Sequence, residues 1–336
     1  MIKIFFVDES FSELADSQSV MLQRVKEVLL KQDLVKQVMS PEVADIVLLQ
    51  EKVSFKDFRY IHKLFRDPII SKYTDKVFTI NCDDCATGLL RGLYTSLPKS
   101  RFDFRIHRAI PYMQYPNELI FGSTCSDTEP EYLASWRGNT KSNAIRLKMI
   151  SLFNSQTGFR LEATNSWLNH QDDEKQSYRD LILNSKFSLC PAGWAPVSFR
   201  IYESMALGRC PVILADEFVP PPGPDWNSFA LFYPQRKITE LEPFLRHHES
   251  MYDELGAKAL QAWQTYFEHN RVETYFANSL IKLVASVPFT TQALEFKRWR
   301  SFSSYWNNNW TLPQRVINRA RKWSRNFNTK LERIAQ

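Results

Sequence analysis

The sequence predicts an α/β chain built from two Rossmann-like domains facing a cleft, with a helical C-terminal extension. Three observations predict it. Apolar runs alternate with helix-periodic segments along the N-terminal half. Residues 187–216, FSLCPAGWAPVSFRIYESMALGRCPVILAD, read as strand, glycine-bearing loop, helix, tight turn and strand. From Ile238 onward the pattern is mainly helical. Repetition of strand, helix and strand implies a parallel sheet with helices on its faces. At 336 residues the chain exceeds one average domain, so two domains are the natural prior.

Residues 3–7 read as a strand. Residues 9–31 carry helix periodicity through Leu14, Val20, Leu22, Val25, Val28 and Leu29. Residues 44–49 form a second strand, 55–65 a second helix and 76–80 a third strand. Segment 95–135 is irregular and rich in aromatic and basic residues. Residues 147–153 look like the end of a helix. The polar stretch 171–175 is either a hinge between halves or a surface loop. A short helix covers 178–183. After the central motif, Pro220-Pro221-Pro222-Gly223-Pro224 makes a rigid loop, and 231–233 one more short strand. The expected division is 1–155, 156–290 and a helical 291–336 that packs back on the first domain. Two α/β halves with the motif in the second suggest a GT-B architecture. Ligands of open α/β sheets bind beyond the carboxyl ends of the strands, here in the cleft.

Composition narrows the function classes. Hydrophobic residues make up 44% and aromatics 14%, with 9 glycines and 9 tryptophans, which excludes a low-complexity or disordered chain. A net charge of +6 does not demand nucleic acid. A strand pattern directly follows Met1, so a secretory signal is not expected, and no apolar run approaches the ~18–20 residues of a membrane span. Five cysteines without framework spacing suit a reducing, cytoplasmic setting. Asn309-Trp310-Thr311 matches the glycosylation pattern, which is common by chance.

The central motif carries the chemistry. Ser198 is a candidate N-cap, and Gly208 suits the left-handed position that ends a helix. A strand feeding a helix through a short loop favours a diphosphate at the helix start. Arg200 and Glu203 lie three apart and share a face near that end. A cation for phosphate and a carboxylate for ribose hydroxyls suit a sugar-nucleotide. The plainer reading is a helix-surface ion pair.

At these residues the chain resembles the exostosin-type glycosyltransferases, glycosyltransferase family 47 and its bacterial relatives. The matching strings are Lys186-Phe187-Ser188-Leu189-Cys190-Pro191-Ala192-Gly193, Ser198-Phe199-Arg200-Ile201-Tyr202-Glu203, Leu207-Gly208 and Pro211-Val212-Ile213-Leu214-Ala215-Asp216. Pro220 and Asp225-Trp226 also fit. Upstream, Ser135-Trp136-Arg137-Gly138 followed by Arg146 looks like the family's Ser-Phe-x-Gly…Arg segment. Residues 92–98 and 105–109 are similar to patterns of bacterial members. One departure is Ala192, where many relatives carry arginine. The resemblance implies an inverting, metal-independent transferase with no cofactor beyond its sugar-nucleotide, UDP being favoured. The first domain would then hold the acceptor and the second the donor. Developing charge on the leaving diphosphate would be met by helix dipole and arginine.

The donor-site candidates are therefore Arg200, Glu203, Ser198, Gly193, Arg137, Gly138 and Arg146. Gly193 and Ser198 also read as turn glycine and cap. Arg137-Gly138 reads equally as a cleft-facing loop of the first domain or a plain turn, and Arg146 as a phosphate cation or a structural ion pair. A base for the acceptor hydroxyl would be Asp84, Asp83 or His107. The two aspartates follow the strand at 76–80. Cys82-Asp83-Asp84-Cys85 lacks the second ligand pair that zinc needs, and the Asp-x-Asp spacing of GT-A enzymes is absent, so no metal is expected.

Residues 312–336 bear seven basic residues against Glu332, with apolar positions at spacings of three and four. This is a basic amphipathic helix, suited either to an anionic membrane surface or to packing on the first domain. The leading expectation is a glycosyltransferase acting on a glycan or lipid-linked glycan, cytoplasmic and peripheral at the inner face of a membrane. A retaining GT-B enzyme and a non-catalytic glycan- or nucleotide-binding partner are the alternatives. Nucleic acid is not an expected partner.

Overall fold

The computed structural model describes residues 1–52, 60–84, 86–113, 117–121, 129–164, 172–268, 271–307 and 316. Two parallel sheets organise them. The first contains β1 (Ile2–Phe6), β2 (Val35–Gln37), β3 (Ile46–Gln50), β4 (Val77–Asn81), β5 (Arg91–Tyr94) and β6 (His107–Ala109) in the order β2-β1-β3-β4-β5-β6. The second contains β7 (Tyr132–Asn139), β8 (Phe159–Thr164), β9 (Ser185–Pro191), β10 (Cys210–Leu214) and β11 (Leu231–Phe232) in the order β8-β7-β9-β10-β11. Read in chain order, each sheet places its second strand outside the first and runs onward from the third. The order therefore reverses between β1 and β3, and again between β7 and β9. Such a reversal opens a crevice at the carboxyl ends of the two strands.

Strands β3, β4 and β10 are buried at every position. Their near-continuous apolar runs are what a sheet covered on both faces requires. The first set of helices is α1 (Val20–Lys31), α2 (Tyr60–Arg66), α3 (Pro68–Lys72), α4 (Glu118–Phe121), α5 (Ala144–Phe153) and α6 (Asp172–Leu183). They are followed by α7 (Phe199–Ala206), α8 (Leu241–His248), α9 (Tyr252–Tyr266), α10 (Val272–Ser286), α11 (Gln292–Trp299) and α12 (Phe302–Asn307). Helix α1 begins later than its periodicity predicts. Ser19 sets the start by accepting the Leu22 N–H at 3.3 Å.

Both expected domain boundaries move. Strand β7 pairs with β8 and β9, so the second half begins before residue 132, not after 155. Ser135, Arg137 and Asn139 interrupt its apolar run, which hides the strand from a periodicity reading. Arg137-Gly138 accordingly belongs to the second half, not the first. Residues 172–175 open α6 within that half and form no hinge. The chain returns to the first half at α10, before residue 290. Val272, Phe276, Leu280 and Leu283 share a core with Ile4, Leu22, Val25 and Ile46. Arg24 and Glu273 pair at 3.3 Å across the same junction. Helix α11 follows, and the Trp299 Nε1–H donates to the Leu89 carbonyl at 2.9 Å.

The expected basic helix at 312–336 lies outside the described residues apart from Val316, as do the Asn309-Trp310-Thr311 pattern and Cys85. Among the described residues no helix is long and apolar enough to cross a membrane.

Candidate functional site

The crevice between β7 and β9 collects most of the expected donor residues. Strand β9 ends at Pro191, and α7 starts after Ser198. The Ser198 hydroxyl accepts the Arg200 N–H at 3.3 Å and an Nη1–H of the same arginine at 3.3 Å. Gly208 closes the helix with φ +64°, a conformation that costs glycine nothing. The helix between them is buried from Arg200 to Ala206, Glu203 included. The surface-pair reading of these two residues is therefore set aside.

Arg200 donates from Nε at 2.9 Å and from Nη2 at 2.5 Å to the Arg137 carbonyl. Its guanidinium lies over the Trp136, Tyr178 and Phe199 rings. Glu203 is 3% exposed and bonded to Tyr178, whose O–H donates at 2.6 Å. Burial pushes its carboxyl up to about 7, against the opposing pull of Tyr178 and the Arg200 charge.

Arg146, on α5, comes to the same crevice. It donates to the carbonyls of Ala192 (3.0 Å), Asn139 (2.9 Å) and Pro191 (3.4 Å). Burial first and the Arg200 charge second, against the opposing charge of Asp84, bring its pKa down to about 9. Main-chain carbonyls thus hold two buried guanidiniums, and neither forms an ion pair among the described residues. Carbonyl dipoles orient a cation without cancelling its charge. A buried cation pair of this kind is complementary to an anion of at least two charges.

The two glycines make room for these arginines. A Cβ on Gly138 would lie 2.4 Å from Arg200 Nη2, and one on Gly193 would lie 3.1 Å from Arg146 Nη2. The Arg137 side chain, by contrast, turns to α6. It donates to Ser177 Oγ at 3.0 Å and lies 3.5 Å from Glu162 and 3.9 Å from Glu174. Its charge is already balanced, and what it gives the crevice is its carbonyl.

Several residues escaped sequence reasoning. Tyr178 reaches Glu203 only through the tertiary fold. Asn143 caps α5, accepting the Ile145 N–H at 3.1 Å, while its Nδ2 donates to the Gly193 carbonyl at 3.1 Å. It thereby ties the two loops of the crevice together, and an asparagine before the AIRL pattern was the signal that marked it. Ser142 Oγ and Trp136 Nε1 are buried without a hydrogen-bond partner. Trp136 belongs to β7, and Ser142 stands between β7 and α5.

The three base candidates separate. Asp83 and Asp84 follow β4 at its carboxyl end. The Asp83 N–H donates to Asn81 Oδ1 at 3.0 Å, and Asn81 Nδ2 donates at 2.8 Å to Glu51, a carboxylate buried at the end of β3. Asp84 is half-buried and close enough to Arg146 to act on its charge. His107 does not qualify. Its Nδ1 accepts the Asp103 N–H at 3.0 Å and its Nε2 faces the Gly88 carbonyl at 3.1 Å. Burial, with the Arg298 charge, pushes the imidazole down to about 3. It is a neutral bridge in the core. Among the described residues no group of three His, Cys, Asp or Glu side chains is placed to hold a metal ion.

The sequence model of the Exostosin GT47 domain matches residues 79–247. The probable glucuronosyltransferase GUT1 of Oryza sativa subsp. japonica is 34% identical over 128 residues, covering 38% of this chain and 27% of that protein. The probable beta-1,4-xylosyltransferase IRX10 of Arabidopsis thaliana is 35% identical over 75 residues, covering 22% of this chain and 18% of that protein. The aligned stretch thus spans about a quarter or less of these curated relatives. Among solved structures, Anabaena Alr3699/HepE in complex with UDP and glucose has 9% identity and a TM-score of 0.44, covering 84% of this chain and 100% of that one.

Proposed function

We propose, on the premise that the chain belongs to the exostosin GT47 family, that it is an inverting, metal-independent glycosyltransferase. It would move a sugar from a nucleoside-diphosphate donor, UDP, to a glycan or lipid-linked glycan. The observation that carries the reading is the pair of buried arginines, 146 and 200, held by carbonyls at the β7–β9 crevice beside buried Glu203. In this reading the diphosphate sits against both guanidiniums, with Ser142 and the start of α7 completing its contacts. Glu203 accepts the ribose hydroxyls. The acceptor hydroxyl attacks the anomeric carbon from the side opposite the leaving diphosphate and passes its proton to Asp84. Charge growing on the departing phosphate is met by cations already in place, an arrangement worth about 10²–10³ in rate for a single positioned donor. Names of relatives, glucuronosyl- and xylosyltransferases, support transfer of a sugar of that kind. A cytoplasmic location, with residues 312–336 touching a membrane that presents the acceptor, is part of the same proposal.

The test is thermal stability with a panel of nucleoside diphosphates, with and without EDTA, for wild type and Glu203→Ala. A ligand that binds only the folded chain raises the melting temperature by mass action. A rise with UDP that survives EDTA and is lost in the variant is the expected result. No rise with any nucleotide refutes the donor site. An EDTA-sensitive rise refutes metal independence, and the anomeric configuration of the product decides between inversion and retention.

A further inference from the structure

A cavity of about 750 Å³ lies where the two halves meet, and it shares no residue with the β7–β9 crevice. Arg108 of the edge strand β6 forms one side. The loop at Pro222 and Gly223 and the end of α9 form the other. The floor is one face of α10, whose lining positions recur at spacings of three and four from Arg271 to Ser286. The opposite face of α10 is already buried in the first core. The cavity is therefore the helix's second, polar face, left open.

Its chemistry is specific. Arg108, Arg271 and Lys282 line it, and no carboxylate does. Arg108 is held in place, donating to the His107 carbonyl at 3.0 Å and to Ser286 Oγ at 3.0 Å. Arg271 has only a long, exposed contact to Glu268 at 3.9 Å, a kind of pair worth little. Lys282 has no acidic partner among the described residues. Two tyrosine rings are fixed beside these cations. Tyr266 packs against Gly223, where φ is +122° and a Cβ would come within 2.9 Å of the ring. Tyr275 donates to the Pro222 carbonyl at 2.6 Å. Asn278 and Ser279 supply amide and hydroxyl groups between them.

Arg271 and Lys282 stand eleven residues apart on one helix, about 16 Å along its axis. One small anion does not bridge that span. A chain with repeated carboxylates does. Fixed rings suit the apolar faces of sugars, amides and hydroxyls suit their hydroxyl groups, and spaced cations suit uronate carboxylates. We propose that this cavity binds a uronate-bearing oligosaccharide. The assignment rests on the reading that the chain handles glycans, and it adds a second site that retains an acidic acceptor or product.

The experiment titrates the full chain with oligogalacturonate of defined length at fixed ionic strength. A neutral xylo-oligosaccharide and inorganic polyphosphate serve as comparators. Lys282→Glu and Arg271→Glu are the variants, and the UDP thermal shift is measured on each as a check of folding and of the donor site. The expected result is saturable oligogalacturonate binding, at least about tenfold weaker in either variant and for the neutral chain, with the UDP shift unchanged. Absence of oligogalacturonate binding overturns the proposal. So does binding that survives both charge reversals, or polyphosphate binding as tight as that of the uronate chain. A wild type that binds oligogalacturonate but shows no UDP shift overturns the transferase reading and leaves the cavity assignment standing.

Discussion

Glu203 offers the sharpest prediction, because its protonation links stability to donor binding. Burial raises its carboxyl from 4.5 to about 7 in the folded chain. Below pH 4.5 the folded and unfolded chains both hold the proton, and the group adds no pH dependence. Between 4.5 and about 7 the folded chain binds more protons than the unfolded one, so stability falls as pH rises. Above about 7 the loss is complete and the dependence flattens. At 1.36 kcal/mol per pK unit, this difference is worth about 3 kcal/mol. Glu203→Gln removes the titration and keeps the shape. Denaturant unfolding of the two proteins from pH 4 to 8 therefore gives curves that diverge with rising pH, the wild type falling relative to the variant. Donor binding reverses the bias. Ribose hydroxyls donate to the ionised carboxylate and lower its pKa, so UDP binding at pH 7 releases about half a proton. Calorimetry in buffers of different protonation enthalpy reads that number as a slope. A slope of zero for wild type, or the same slope in Glu203→Gln, refutes the placement of Glu203 at the ribose.

Three further outcomes are expected. Gly138→Ala places a Cβ at 2.4 Å from Arg200 Nη2, so the guanidinium leaves the Arg137 carbonyl; UDP affinity measured by calorimetry falls about tenfold or more, and an unchanged affinity contradicts the arrangement. His107 holds its ring neutral, so its contribution to stability is complete above pH 6.5 and is lost as pH falls toward about 3; His107→Gln flattens acid unfolding over that window and leaves the UDP shift in place. Asp84→Asn lowers turnover by about 10² or more, with UDP affinity within about twofold of wild type, and a turnover above a tenth of wild type removes Asp84 from the base role.

The second half was legible where its signals are contiguous. Residues 187–216 contain strand, cap, helix, left-handed stop and strand in one run, and the structure places β9, α7 and β10 there. Strand β7 was hidden because Ser135, Arg137 and Asn139 break its apolar pattern. Strand β6 has three residues, too few for a period to show. The site divides in the same way. Arg200 and Glu203 declared themselves by spacing on one helix. The bond from Tyr178 to Glu203 joins residues on α6 and α7, so no local pattern marks it. Asp84 and His107 look alike as candidates in a sequence. Only the tertiary fold shows that the charge of one acts on Arg146 while both nitrogens of the other are engaged by the main chain.

The departure at Ala192 acquires a physical meaning from the same geometry. Its side chain is 5% exposed, and its carbonyl accepts the Arg146 Nε–H at 3.0 Å. Position 192 thus contributes an acceptor that aims a cation arising 46 residues earlier in the chain. Burial, and then the Arg200 charge, already lower the hold of Arg146 on its proton. A third guanidinium among them would add repulsion before any anion arrived. Two arginines fixed by carbonyls, with glycine at 138 and 193 giving them space, keep the positive charge in place ahead of the ligand. If the proposed transfer takes place here, the energy of ordering that charge is supplied in folding and not in the reaction.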